Sequence, residues 1–343
     1  MIIRFVGDIH LGKRFPYTTN ASSPRFEGLR YDILRQVLMK DSPAFIVMLG
    51  DLFDGFNVSS RVLVEGYSIV NRNTPKVIVL AGNHDKSNNT DEPSSLQLLD
   101  DPLDSARIVW EEPEILRFTE GSDTLIVLVP HQLTQEKFEN ALLQAKAMSK
   151  AHASSTKILC LHCNWGDREG APTENYLRTD MATELLTEFT KIISGHEHNR
   201  HAPKKGVEML GSIMPFSFGE MTDKWLLDYD TNLQEFTFQK IWPVKEFSQR
   251  TYETMTAAGV TQFMEISGEV TVDQAAAVNR KIAEWHKDQH GLIAVKNSTR
   301  LIKHEVVISN DQEAEKVHWT DRARAEMSDQ QIGLFNQVLE NLQ

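Results

Sequence analysis

The chain reads as an α/β protein built on parallel strands, and two observations lead there. Short apolar runs alternate with amphipathic helical stretches in the order strand, helix, strand, helix, strand, which crossover connections produce. Five of the apolar runs stop at residue types that hold metals: Arg4-Phe-Val-Gly-Asp8-Ile-His10, Phe45-Ile-Val-Met-Leu-Gly50-Asp51, Lys76-Val-Ile-Val-Leu-Ala-Gly82-Asn83-His84-Asp85, Lys157-Ile-Leu-Cys-Leu-His162 and Lys191-Ile-Ile-Ser-Gly-His196-Glu-His198. Sheets of this kind place ligands beyond the carboxyl ends of their strands, so one shared sheet edge is expected to gather these residues.

Taken in order, residues 2–7 form a strand that ends at Asp8 and His10. Residues 11–28 are a polar stretch with Lys13, Arg14 and Arg25, and Arg30 lies just beyond. A connection of that length is usually functional or mobile. It is either a solvated loop or a set of cations that touch the backbone of a polyanion. Residues 29–40 carry Leu29, Ile33 and Val37 on one helical stripe, and Pro43 marks the stop. After the strand into Asp51 and Asp54, residues 61–71 form a weaker helix, and Pro75 precedes the strand that carries Gly82 to Asp85.

Residues 88–92 read as a polar loop, 108–112 and 115–118 as short strands, and 124–129 as a clear one. Phe138, Leu142, Ala145 and Met148 give residues 135–151 one apolar helical face. Beyond His162, residues 166–175 are loop and 181–189 helix. Residues 207–211 and 225–229 read as a closing pair of strands around residues 211–220. Trp242-Pro243 is the expected boundary of a first domain, residues 1–242.

Beyond the boundary the pattern restarts with a strand near 262–266, a helix over 273–287 and strands near 292–296 and 305–308, a small α+β unit over 243–310. The remaining tail, 311–343, contains the capping-box pattern Ser328-Asp-Gln-Gln331 before a helix with Phe335 and Leu339. Its apolar stripe either packs on its own domain or is offered to a partner.

Composition narrows the function. The 343 residues are 41% apolar with a net charge of −12, enough for a sizeable core and too acidic for a surface that grips nucleic acid everywhere. Any contact with DNA is therefore local, metal-assisted or shared with a partner. No apolar run reaches the length of a membrane span, and no signal-peptide pattern precedes the first strand, so a cytoplasmic protein is expected, bacterial or phage-encoded. Cys160 and Cys163 are the two cysteines. On an extended strand, residues three apart are about 10 Å apart and face opposite sides, beyond the roughly 7 Å reach of a disulfide, so packing thiols are expected.

Asp8, His10, Asp51, Asn83, His162, His196 and His198 are the candidate ligands. Seven oxygen and nitrogen donors exceed the needs of one tetrahedral zinc and suit two divalent ions about 3.5–4 Å apart that share a carboxylate. The lack of a thiolate favours manganese, with magnesium or iron(II) as alternatives. Such a pair would acidify a water and clamp a phosphate oxygen, which is the chemistry of phosphoester hydrolysis. His84, beside the better ligand Asn83, is placed to protonate a leaving oxygen. Asp85 is either a supporting carboxylate that orients an imidazole or a turn residue.

In order and spacing, Asp8-x-His10, Gly50-Asp51-x-x-Asp54, Gly82-Asn-His-Asp85, His162 and Gly195-His-x-His198 resemble the signature of calcineurin-like metallophosphoesterases. That resemblance implies an αββα two-sheet sandwich. It assigns one metal to Asp8, His10 and His198 and the second to Asn83, His162 and His196, with Asp51 bridging and His84 as the acid. Asp8-Ile-His10-Leu-Gly12, Gly211-Ser-x-x-Pro215-x-Ser217-Phe218-x-Glu220, the small second domain and the helical tail are further similar to SbcD-type nuclease subunits. Such a subunit would be a manganese-dependent DNA exonuclease and endonuclease. It would carry a capping domain, form a homodimer and bind an SbcC-type coiled-coil ABC ATPase through its tail. The competing readings are a small-molecule or protein phosphoesterase and a regulatory subunit without catalysis. Asp54 stands where some relatives carry histidine, and His131 and His201 are expected to face solvent.

Overall fold

The computed structural model describes residues 1–20, 22–71, 76–87, 94–100, 106–167, 174–242, 247–255, 261–288 and 292–302. The expected loop at 88–92, most of that at 166–175, the boundary residue Pro243, the strand at 305–308 and the tail with Phe335 and Leu339 lie outside them.

In chain order the elements are β1 (Ile2–Val6), α1 (Ser23–Met39), β2 (Phe45–Met48), α2 (Ser60–Val70), β3 (Lys76–Leu80), β4 (Ala106–Val109), β5 (Glu114–Phe118) and β6 (Thr124–Leu128). Then follow α3 (Gln135–Lys150), β7 (Thr156–His162), β8 (Asn164–Trp165), β9 (Tyr176–Leu177), α4 (Thr179–Leu185), β10 (Lys191–Gly195), β11 (His201–Lys204) and β12 (Val207–Met209). The last described are β13 (Lys224–Asp230), β14 (Glu235–Trp242), β15 (Phe247–Thr251), β16 (Phe263–Val270), α5 (Val272–Asp288) and β17 (Ala294–Leu301).

Two six-stranded sheets result, ordered β14-β13-β1-β2-β3-β4 and β11-β12-β10-β7-β6-β5. Strand alternation sorts their side chains into layers. Ile3, Phe5, Val47 and Leu49 meet Ile126, Leu128, Ile158 and Ile193 between the sheets. Their alternates Val6, Ile46 and Met48 face Leu34, Val37 and Val70 of α1 and α2, while Leu159 and Leu161 of the second sheet face Phe138, Leu142 and Leu185 of α3 and α4. Burial on both faces is why these strands read as unbroken apolar runs. The αββα sandwich is therefore present. The five strands do not share one sheet edge, because β1, β2 and β3 belong to one sheet and β7 and β10 to the other.

Three further expectations change. β12 pairs with β10 and β11, whereas β13 pairs with β1 and β14, so 207–211 and 225–229 close different sheets. α1 begins at Ser23, six residues before its apolar stripe, with a proline in its first turn. Its early turns hold Arg30, a buried cation that donates to the carbonyls of His10 and Lys13. That guanidinium ties down the polar connection from inside and is spoken for, so it does not offer itself to a phosphate.

The cysteines behave as their spacing requires. Both are buried and free, Cys160 in the inter-sheet core and Cys163 under the α3 and α4 layer. Burial raises both thiols, Cys163 to about 12.

β15, β16 and β17 form a separate three-stranded parallel sheet, with α5 against it. It has a small core of its own around Met264, Ile266, Val278 and Trp285. Phe263 and Ala294 from the same strands join the main core instead, and the Phe263 ring lies 4.9 Å from that of Phe15. Among the described residues no helix is long and apolar enough to cross a membrane.

Candidate metal centre

The turns after β1, β2, β3, β7 and β10 meet over the end of the sandwich, and backbone bonds knit them together. Ile9 and His10 donate to the carbonyl of Asp51, His131 to that of Ala81, and Ile213 to that of Asp8. His10, Asp51 and His196 all sit in the left-handed region, with φ of 49°, 50° and 89°. Such a backbone costs a non-glycine residue about 1–3 kcal/mol and persists where its surroundings over-determine it. Gly50 shows how closely the turns approach. With φ of 105° it needs glycine, and a Cβ there would lie 2.2 Å from His162 Nδ1. A Cβ on Gly82 would lie 2.1 Å from Asp51 Oδ1.

All seven expected ligands converge. Nε2 of His10 and Nε2 of His198 face each other at 3.0 Å. Nε2 of His162 and Nδ1 of His196 stand 3.2 Å apart, each 2.9 Å from Asn83 Oδ1. Between the two groups, Asp51 Oδ2 lies 3.5 Å from His10 Nε2 and 3.4 Å from His162 Nε2. Asp8 is fully buried, accepts from the His196 amide at 3.0 Å and lies 3.6 Å from His162 Nδ1. Donor atoms of His10, Asp51 and His84 lie within 4.8 Å of one another, as do those of Asp51, His162 and His196. His84 thus stands within ligating reach, in addition to the position expected of an acid.

The outward nitrogens of the four imidazoles decide whether this set fits metal ions. His162 Nδ1 is 2.7 Å from the Leu49 carbonyl. His196 Nε2 is 2.9 Å from Glu174, His198 Nδ1 is 3.2 Å from Glu220, and His10 Nδ1 is 3.1 Å from Asp54. The oxygens of Leu49, Glu174 and Glu220 accept, so the outward nitrogens of His162, His196 and His198 carry the proton, and the neighbouring Asp54 carboxylate favours the same tautomer for His10, leaving the inward nitrogen of each ring with a lone pair. Four inward lone pairs, an amide oxygen and two carboxylates are a donor set for borderline divalent cations.

The field has the matching sign. Burial opposes ionisation of Asp51, yet His162 and His10 hold its carboxyl well below the ordinary range. Burial likewise opposes protonation of His162, and Asp51 and Asp8 outweigh it, lifting the ring to about 9. Negative potential that would hold a proton there holds a cation equally well.

Several residues had no readable signal or were read differently. Asp85 does not orient an imidazole. Its buried carboxylate accepts from the amides of Asp51, Gly82 and Phe53 at 3.0, 2.9 and 3.4 Å, so it fixes the turn that presents Asp51. His131 does not face solvent. It is buried, its ring centre is 6.2 Å from that of His162, and burial pushes it down to about 3. His201 remains partly exposed and lies 3.2 Å from Glu197. Asp54, for which the sequence suggested no role, touches both His10 and Lys13. Glu220 was visible only as part of a motif, and Glu174 lies in a polar stretch without periodicity. Replacing Glu220 by alanine frees the outward nitrogen of His198, and a loss of about 10–100-fold in affinity at one of two metal equivalents is expected. Calorimetric titration with manganese checks this; unchanged affinity at both would remove Glu220 from the site.

A two-sheet sandwich that carries two imidazole-rich donor groups around one shared aspartate defines a dinuclear metallohydrolase. The chain belongs to the calcineurin-like phosphoesterase family, whose profile matches residues 1–200 and so contains all seven candidate ligand positions. Members of that family use a dinuclear divalent metal centre. Among solved structures it is similar to a hypothetical protein from Thermus thermophilus, at 12% identity and a TM-score of 0.40, over 70% of this chain and 99% of that one. It is also similar to an archaeal phosphodiesterase, at 13% identity and a TM-score of 0.34, over the same shares of the two chains. No curated protein matches the chain.

Proposed function

We propose that this phosphoesterase is a DNA nuclease of the SbcD type, cleaving phosphodiesters from 3' ends and in single strands or hairpins, and that manganese is its metal. The observation that carries the hydrolytic part is the sharing of Asp51 by two donor groups. Asp8, His10 and His198 would hold one ion and Asn83, His162 and His196 the other. When bound, such ions neutralise charge on the phosphoryl oxygens and lower the pKa of water.

The chain's own residues do the rest. Asp85 and Gly82 hold Asp51 in place, Glu220 and Glu174 hold the rings of His198 and His196, and His84 is presented to the substrate side. Support for DNA comes from the resemblance of residues 211–220 to SbcD-type nuclease subunits, and this segment lies at the centre. Phe216 packs against the rings of His10 and His198 at 5.0 and 5.2 Å, and Glu220 anchors the amide of Phe216, so this segment walls one side of the centre. The three-stranded unit meets the same side through Phe247 on Phe218, as a capping domain would. The SbcC-type ATPase, the homodimer and the cytoplasmic location belong to the same reading, with an acidic chain relying on a partner for its grip on DNA.

The test strips the protein with chelator, restores manganese, and compares nucleotide release from 3' ends of duplex DNA with turnover of bis(p-nitrophenyl) phosphate. Both activities are expected to return. Turnover of the small ester alone would move the assignment to a small-molecule or protein phosphoesterase. Association with the ATPase without cleavage would make it a regulatory subunit.

A further inference from the structure

A cavity of about 450 Å³ opens beside the centre, within the size range of ligand pockets. Its walls continue the site's own turns. Phe56 follows the turn of Asp51 and Asp54, Lys86 follows Asn83 to Asp85, and Gln132 follows His131. Lys86 Nζ donates to the carbonyl of His131 at 2.5 Å, and the His131 ring centre is 6.2 Å from that of His162, so the cavity wall is tied to the turns of the centre. The remaining wall is Trp110, at the end of β4, and the first turns of α3.

The lining specifies what fits. Trp110 and Phe56 provide aromatic surface, and Lys86 Nζ stands 5.4 Å from the indole centre. Asn140 supplies an exposed amide. Lys86 and Lys137 are offset by Glu111 and Glu112, so the cavity has no net charge with which to hold a free phosphate. A planar, uncharged heterocycle that stacks and hydrogen-bonds along its edge suits these walls. The phosphate it belongs to would lie outside, at the donor groups.

We infer that this cavity receives a nucleobase attached to the phosphodiester being cleaved, with Trp110 as its stacking surface. The inference rests on the phosphodiester reading above and adds a base-binding subsite to it. The base comes either from a DNA strand or from a small nucleotide ester, and the two share the chemistry that the cavity recognises.

The test uses the full chain with manganese and Trp110→Ala. Three substrates are compared: bis(p-nitrophenyl) phosphate, the p-nitrophenyl ester of thymidine 5'-monophosphate, and a single-stranded oligodeoxynucleotide. Expected is a fall of about 10–100-fold in kcat/KM on the thymidine ester, the range for loss of one base–aromatic stack, with bis(p-nitrophenyl) phosphate unchanged. An equal loss on the oligodeoxynucleotide supports a DNA base. Loss confined to the mononucleotide ester supports a free nucleotide. Equal loss on all three substrates, or on none, overturns the subsite.

Asn140→Leu, at an exposed helix position, gives a second reading if the tryptophan variant does not fold. Loss on the thymidine ester with bis(p-nitrophenyl) phosphate unchanged supports the subsite, and no loss overturns it. Binding of deoxyadenosine monophosphate in chelator, followed by tryptophan fluorescence, separates the two levels of inference. If the wild-type protein cleaves no nucleotide, the nuclease reading falls. Saturable quenching that disappears in Trp110→Ala would still establish the subsite, and its absence would overturn it.

Discussion

Asp51→Asn is expected to remove divalent metal from both halves of the centre and to lower hydrolysis by about 10³-fold, the equivalent of ~4 kcal/mol in the barrier. Its Oδ2 stands between His10 Nε2 and His162 Nε2, at 3.5 and 3.4 Å, so one carboxylate serves two donor groups. Loss of a group that merely supports a ligand costs about 10–100-fold in metal affinity, and a shared ligand should cost at least that at each site. The fold should survive. Asparagine has the same shape, and its oxygen can still accept the bond that Asp51 Oδ1 takes from the His84 amide at 3.0 Å. Removing the charge also relieves repulsion between Asp51 and Asp85, whose carboxyl burial and Asp51 push up to about 7. Metal content per chain, measured beside thermal melting, decides the matter. A variant that retains two equivalents would show that Asp51 does not bridge.

Much of this candidate centre is legible in the sequence because each candidate ligand sits within a few residues of the end of a strand buried on both faces. An unbroken apolar run that ends in glycine and a carboxylate, as at Leu49-Gly50-Asp51, marks such a place in one dimension. What that signal lacks is pairing. β2 and β7 look alike as sequences, and only their hydrogen-bonded neighbours place them in different sheets. β14 carries no clear signal for another reason. Phe236 and Phe238 alternate with polar residues, but an irregularity at the β13 pairing near Lys224 and Trp225 breaks the alternation before Ile241 and Trp242. His131 and Glu174 are single residues in segments without period, and their proximity to His162 and His196 exists only once the second sheet has brought β6, β7 and β10 side by side.

His84→Gln is expected to lower cleavage of DNA by about 10²–10⁴-fold, the usual contribution of a general acid, while both metal equivalents remain bound. Its Nδ1 lies 3.0 Å from the backbone carbonyl of Asp54. A carbonyl only accepts, so Nδ1 carries the proton of that bond and Nε2 is the nitrogen available to a substrate. Exposure separates it from its neighbours, since the His84 side chain keeps 38% of its surface open while His10 and His162 keep none. The competing role is that of a ligand, because its donor atom lies within 4.8 Å of those of His10 and Asp51. The leaving group distinguishes the two. A departing DNA alkoxide needs a proton, whereas p-nitrophenolate leaves without one, so loss of an acid should cost roughly tenfold or less on bis(p-nitrophenyl) phosphate. Loss of a ligand would lower both activities alike and release metal. Equal losses on the two substrates, with one metal equivalent gone, would therefore assign His84 to the metal rather than to the proton.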